Sequence, residues 1–259
     1  HGVEYSYINL VDQIDCRTEE LIDDSMDIET TYRFLKKRAG RVVDLSLHVN
    51  NLSVRFGQQQ ILKNLNLSLS SGDQMLIHGA NGTGKTTLLK TILGFIREYS
   101  GTIHIGDVLQ GSKEWKKNRS LLGYIHQESV KHTFPVSAGE VVAIGLARKR
   151  PRNDEITYRV ESAMRRTGCF HLWQHPYHTL SGGEKQRVSL ARCLCQKARV
   201  LLFDEPTSFL DSSGKETLLE LLTALVRTER PTILLVSHES SWTERLVWPT
   251  LELREGKLW

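Results

Sequence analysis

Between Leu45 and Phe56 apolar and polar residues alternate well enough for a strand, and Leu62 to Leu69 marks a second, the period-two pattern of sheets with one buried face. A short apolar strand over Asp73–His78 runs into a glycine-rich turn, after which Thr86–Gly94 takes helical spacing. Residues 100–127 carry further strands around a polar interruption at Gly111–Lys117. Residues 137–176 read as mostly helical, with a basic turn at Arg148–Asp154. The pattern then predicts a helix over 183–196, a strand over 199–203, a helix over 214–228, a strand over 231–236 and a hairpin-like stretch at 246–259. Strands and helices that alternate after a β-rich start predict an α/β fold with a mainly parallel sheet and an antiparallel lobe.

Ahead of this lies a different pattern. Val11, Ile14, Thr18, Leu21, Ser25, Ile28, Tyr32 and Leu35 step by threes and fours, which predicts a helix over 10–38. Lys36, Lys37 and Arg38 suit its negative end, and Gly40 stops it. Thr18 and Ser25 weaken the seam, which favours packing against the main body over a coiled-coil dimer.

Composition narrows the class. Of 259 residues, 39% are hydrophobic and 25% charged, proportions of a soluble chain able to bury a core. No apolar run approaches the 18 or so residues of a spanning helix. Four unevenly spaced cysteines make no disulfide framework. Cys193 and Cys195 stand too close for usual zinc spacing and read as small buried hydrophobes. Residues 1–40 hold nine acids and five bases, which leaves 21 acids and 29 bases, of 30 and 34, in residues 41–259. A mildly basic body suits a phosphate-bearing ligand or a membrane face, and equally a solvated surface. The start at His1 leaves room for a longer polypeptide.

Three motifs carry chemistry. Gly79-Ala-Asn-Gly-Thr-Gly-Lys-Thr-Thr87 satisfies GxxxxGK[ST] between a strand and a helix, the context such a loop needs. Glycines at 79, 82 and 84 let the backbone wrap a phosphate, and successive N–H groups supply positive potential. Lys85 would reach the β- and γ-phosphates and the Thr86 hydroxyl would sit on Mg²⁺. Second, Val200-Leu-Leu-Phe-Asp204 describes a buried strand delivering a carboxylate to the ligand-binding edge of an open sheet. Asp204 would hold Mg²⁺, and Glu205 beside it could polarise the attacking water. Third, Leu180-Ser-Gly-Gly-Glu-Lys-Gln-Arg187 opens a helix. Ser181 and Glu184 make a capping box, the small glycine-rich start is a natural anion site, and a five-residue match to LSGGE is too rare by chance for the cap to be the whole reading.

With these elements in this order, residues 45–259 resemble the nucleotide-binding domain of ATP-binding cassette (ABC) proteins, a P-loop NTPase fold with an antiparallel β subdomain and a helical subdomain. The resemblance implies a domain over 41–259 with a helical insert at about 129–178, and leaves residues 1–40 as an acidic helical extension. Gly79, Asn81, Gly82, Thr83, Gly84, Lys85, Thr86 and Thr87 look like the Walker A loop, Val200–Asp204 like Walker B and Glu205 like the general base. Ser181, Gly182, Gly183 and Glu184 look like the signature that acts in trans on ATP held by a second copy or a paralogue. Gln127 looks like the Q-loop glutamine, a further Mg²⁺ ligand beside Thr86 and Asp204. Ser208–Asp211 looks like the D-loop, His238 like the switch histidine, and Phe56 like the aromatic that stacks on adenine. Phe209, Trp242, Trp248 and Pro249 depart from the family pattern.

The implied cofactors are ATP and Mg²⁺. The implied partners are a second nucleotide-binding domain and integral membrane permease subunits, which places the protein in the cytoplasm on the inner face of the cell membrane. Thr133–Gly145, with its FPV and VV segments, is similar to ATPases of metal-ion and siderophore importers. The other reading is a soluble, tandem ABC ATPase acting on ribosomes, nucleic acid or regulation, although direct nucleic-acid binding is not indicated. A chromosome-structure ATPase is excluded, because residues 88–180 leave no room for the long coiled coil that splits those proteins.

Overall fold

In the computed structural model, residues 45–126, 135–147, 152–208, 210–239, 242 and 244–259 are described. The helix expected over 10–38, with the rest of residues 1–40, lies outside them, as do Gln127 and Phe209. The strands are β1 (Leu47–Phe56), β2 (Gln59–Leu69), β3 (Gln74–His78), β4 (Tyr99–Ile105), β5 (Val108–Leu109), β6 (Leu122–His126), β7 (Val200–Asp204), β8 (Thr232–Ser237), β9 (Thr250–Arg254) and β10 (Lys257–Leu258). The α-helices are α1 (Lys85–Ile92), α2 (Trp115–Asn118), α3 (Ala138–Ala143), α4 (Asn153–Arg166), α5 (Gly182–Gln196) and α6 (Ser212–Glu229).

The alternating N-terminal strands form an antiparallel sheet in the order β2-β1-β4-β5. Leu47, Val49, Leu52 and Val54 are all buried, although Leu52 falls out of strict alternation. A register shift there, with Asn51 at φ 52, returns Leu52 to the inner face, which is what a β-bulge does. Gly101 makes room for it, since a Cβ at that position would lie 2.4 Å from the Asn50 carbonyl oxygen.

The second sheet runs β10-β9-β3-β8-β7-β6 and is parallel except at the β9–β10 hairpin. Strands β7 and β8 are buried along their whole lengths, because a parallel sheet is covered on both faces. Alternate residues feed two cores. Leu201, Phe203, Ile233 and Leu235 pack into a cluster with residues of α3, α4, α5 and α6. Val200, Leu202, Leu234 and Val236 pack into one with α1 and the antiparallel sheet. Gly123 on β6 lets α5 approach, as a Cβ there would meet Leu201 Cδ2 at 2.7 Å and Cys193 at 3.0 Å. Cys193 and Cys195 are buried in this packing, in line with their reading as small hydrophobes.

One expectation is refined. The polar interruption before β6 contains the helical turn α2, anchored by Trp115, which is buried against the antiparallel-sheet core. The single apolar residue among lysines carries no periodicity, so pattern alone could not reveal the turn.

The parallel register aligns the strand ends that matter: His126 lies opposite Asp204, Asp204 opposite Val236, and His78 opposite Ser237. Phe203, 1% exposed, is the largest side chain wholly buried in this sheet. Phe203→Ala should destabilise the fold by about 3–5 kcal/mol, read as a lowered urea midpoint.

Candidate functional site

The loop after β3 is shaped by glycines with distinct physical reasons. At Gly79 a Cβ would stand 2.5 Å from the Leu253 carbonyl oxygen, so only glycine fits. Gly84 adopts φ 107 at the start of α1 and would press on Leu62 and Ile61 of β2 if it carried a Cβ. Gly82, at φ 81, turns the loop tip, Asn81 is exposed there, and the Thr83 hydroxyl closes the turn onto the Ala80 carbonyl at 2.9 Å. The first turn of α1 has neither an acidic residue nor a side-chain cap, which leaves its N–H groups available to an anion.

Lys85, 5% exposed, is held by two backbone carbonyls and one carboxylate. Its ammonium donates to the carbonyls of Gly79 at 2.7 Å and Ala80 at 2.9 Å, and pairs with Glu205 Oε1 at 3.0 Å. The other carboxylate oxygen of Glu205 meets His238 Nδ1 at 2.6 Å and accepts the His238 backbone N–H at 3.1 Å. Glu205 itself sits at φ 51, its N–H bonded to the Val236 carbonyl. That left-handed turn at a strand end lifts its carboxylate between the ends of β3 and β8. A non-glycine residue held there costs about 1–3 kcal/mol.

Asp204 next to it is 5% exposed and holds two hydroxyl donors, Thr86 on Oδ1 at 3.0 Å and Tyr124 on Oδ2 at 2.8 Å. Burial, and then the Asp204 charge, push the Tyr124 phenol far above its ordinary value, so it stays a neutral donor. Thr87, one turn into α1, accepts the Thr91 hydroxyl at its carbonyl and is held in the helix.

The glycine-rich helix start lies apart. Ser181 caps α5 in a reciprocal box with Glu184, with Gly182 and Gly183 in the first turn. Among the described residues no hydrogen bond or ion pair joins 181–184 to loop 79–87. A Cβ at Gly183 would make only ordinary contact with Leu210 at 3.6 Å, so packing within the chain does not demand glycine there. Gln186 of α5 donates to the Pro206 carbonyl and ties the helix to the loop after Glu205. Asp211 caps α6 through the Gly214 N–H at 2.8 Å.

Phe56 ends β1 with half its surface exposed (51%). It faces Gln59 across the hairpin whose Ile61 and Leu62 abut Gly84. The tryptophans that departed from pattern have structural work. Trp242 is buried with its indole N–H on the Lys215 carbonyl, and Lys215 pairs with Glu239, so the segment after His238 is fastened to α6. Trp248 packs on the same core, and the Pro249 carbonyl accepts the Leu76 N–H. Sequence reasoning missed Tyr124; its one signal was a tyrosine in step with the end of an apolar strand, a pattern too common to single out.

A groove of about 330 Å³ opens beside β6, lined by Phe95, Arg119, Tyr124, His126, Ile144 and Arg192 among others. Phe95 and Ile144 are 60% and 59% exposed. Ile144 and Gly145, which line it, follow directly on helix α3; that helix is fixed by a capping box of Ser137 and Glu140 and by close packing of Gly139 on Trp173.

Comparison with known proteins gives a consistent picture. A family model described as ABC transporter matches residues 62–208. The zinc uptake system ATP-binding protein ZurA of Listeria innocua is 34% identical over 200 residues, 74% of this chain and 76% of that protein. The structure of cbiO1 from Clostridium perfringens, part of the ABC transporter complex cbiONQ, superposes with a TM-score of 0.75 at 30% identity, covering 84% of this chain and 87% of that one. A dimeric ATP-binding cassette in a post-hydrolysis state with ADP and Pi superposes with a TM-score of 0.70 at 25% identity, over 82% and 96% of the two chains.

The capping box makes a pH prediction. Hydrogen bonds from the Ser181 hydroxyl and N–H hold the Glu184 carboxyl below its ordinary value of 4.5. Its contribution is therefore complete above that value and lost as pH falls through the lower folded one. The stability gap between the parent chain and Glu184→Ala, measured by urea unfolding at a series of pH values, should be constant near neutrality and close below pH 4.5.

Proposed function

Because the chain belongs to the ABC transporter family and is an ATPase of that family, we propose that it powers a membrane transporter importing metal ions or metal chelates. The observation that carries the enzymatic reading is the unbroken link Lys85–Glu205–His238, set at the C-terminal edge of the parallel sheet. Likeness to a zinc-uptake ATPase supports the metal import.

ATP would lay its phosphates in loop 79–87, where the amides around Gly82, Gly84 and Thr87 and the Lys85 ammonium neutralise charge. Lys85 must then exchange its present partners for phosphate oxygens. That frees one oxygen of Glu205, which orients a water in line with the γ-phosphate, while His238 keeps the other. The exposed Phe56 ring offers a stacking face to adenine. Asp204 Oδ1 and the Thr86 hydroxyl, 3.0 Å apart beside the loop, are hard oxygen donors that fit Mg²⁺. Those two residues would hold it together with Gln127. When bound, the ion neutralises phosphate charge.

The other half of the site comes from a second copy or a paralogue. Ser181, Gly182 and Gly183 are joined to no part of their own phosphate loop, and Gly183 is small without internal need. These features suit a surface that closes over ATP held by the partner, with Asp211 at the start of α6 in the D-loop. ATP-driven closure and reopening on hydrolysis give a two-state cycle. The groove beside β6, with its exposed Phe95 and Ile144, is where a membrane subunit would dock. Among the described residues no helix is long and apolar enough to cross a membrane, so attachment to the inner face of the cell membrane would run through that subunit.

Affinity purification from membranes tests the reading. Recovery with integral membrane subunits is expected, and recovery with ribosomes or nucleic acid instead would overturn the transport role. For the site itself, Glu205→Gln should still bind ATP, accumulate as a dimer in size-exclusion chromatography and turn over at least about 100-fold more slowly. Undiminished ATPase in that variant would remove Glu205 from its role.

A further inference from the structure

Tyr124 has no part in the chemistry above, yet its hydroxyl makes a 2.8 Å bond to the Asp204 oxygen that Thr86 does not hold. If the Thr86 hydroxyl served a metal ion instead, Tyr124 would be the side-chain donor left on that carboxylate. We propose that Tyr124 is a positioning residue: its phenol fixes Oδ2 of Asp204 and so leaves Oδ1, on the Thr86 side, presented to the ion. This rests on the reading that Asp204 and Thr86 hold Mg²⁺.

The register explains why the residue is tyrosine. Tyr124 stands opposite Leu202, and Asp204 lies two residues further along the neighbouring strand, facing His126. That is a diagonal of about 8 Å across the parallel pair, from a strand spacing of about 4.8 Å and two rises of about 3.3 Å, and a long side chain is needed to span it. Serine or threonine falls short, and phenylalanine spans it without a donor.

The ring is also held still. It stacks on His126 with centroids 5.1 Å apart and planes at 17°. The Tyr124 carbonyl accepts Arg192 Nη2 at 2.7 Å, which ties this point of the edge strand to α5. A donor locked from both backbone and ring holds a carboxylate better than a mobile one, because little freedom remains to be lost when the ion binds.

The test is calorimetric titration of ATP into the full chain, first in EDTA and then at stepped Mg²⁺ concentrations, for the parent, Tyr124→Phe and Asp204→Asn. Tyr124→Phe removes one hydroxyl and keeps the ring on His126. It should bind ATP in EDTA as the parent does, while the Mg²⁺ concentration giving half the metal-dependent gain in affinity rises about tenfold, the effect of losing a hydrogen bond to a charged group. If Asp204→Asn shifts that half-point and Tyr124→Phe does not, the positioning role is overturned and the metal site stands. If neither shifts it, the metal reading itself fails. Equal weakening of Tyr124→Phe with and without Mg²⁺ would make the tyrosine structural and would also overturn the proposal.

Discussion

The carboxylate of Glu205, pinned between the Lys85 ammonium and His238, is the interaction on which the rest of the site depends. It joins the ends of three strands: β3 through the loop that carries Lys85, β7 through Glu205 itself, and β8 through His238. An ion pair this enclosed is weak evidence for stability, because desolvation opposes the attraction. The left-handed backbone at Glu205 adds further strain. Both are sustained by the wholly buried, in-register strands beneath them. Packing beneath thus offsets the desolvation and strain of this charged cluster.

Lys85 is held within the chain by two backbone carbonyls and by the charge of Glu205. In the proposed mechanism phosphate would enter by exchange for these partners and release Glu205 as it does. Binding of nucleotide and freeing of the carboxylate would then be one event.

Helix α5 connects the surfaces that matter. It begins at the exposed Ser181 turn and ends with Gln196 donating to the Ser120 and Leu122 carbonyls beside β6. Its 15 residues, at 1.5 Å of rise each, run from the turn proposed to meet a second copy to the wall of the groove. Arg192 and Ser189 line that groove from the same helix. In the proposed reading, one helix with an end at each surface would let movement at one be felt at the other without a separate relay.

Much of the fold and most of the site could be read along the chain. Loop 79–87, the strand ending at Asp204 and the Ser181–Glu184 cap are contiguous, so each is legible from neighbouring residues alone: glycines at a tight turn, an apolar run ending in an acid, serine where a helix starts. What the tertiary structure decided lies between residues distant in sequence. Glu205 meets His238 across 33 positions and Tyr124 meets Asp204 across 80, and Trp242 fastens to Lys215 through a backbone carbonyl that no pattern marks. Periodicity reports which way a side chain points relative to its own strand or helix. Which strand lies beside which, and in what register, is settled only when the whole sheet packs, and those neighbours decide which carboxylate each donor can reach.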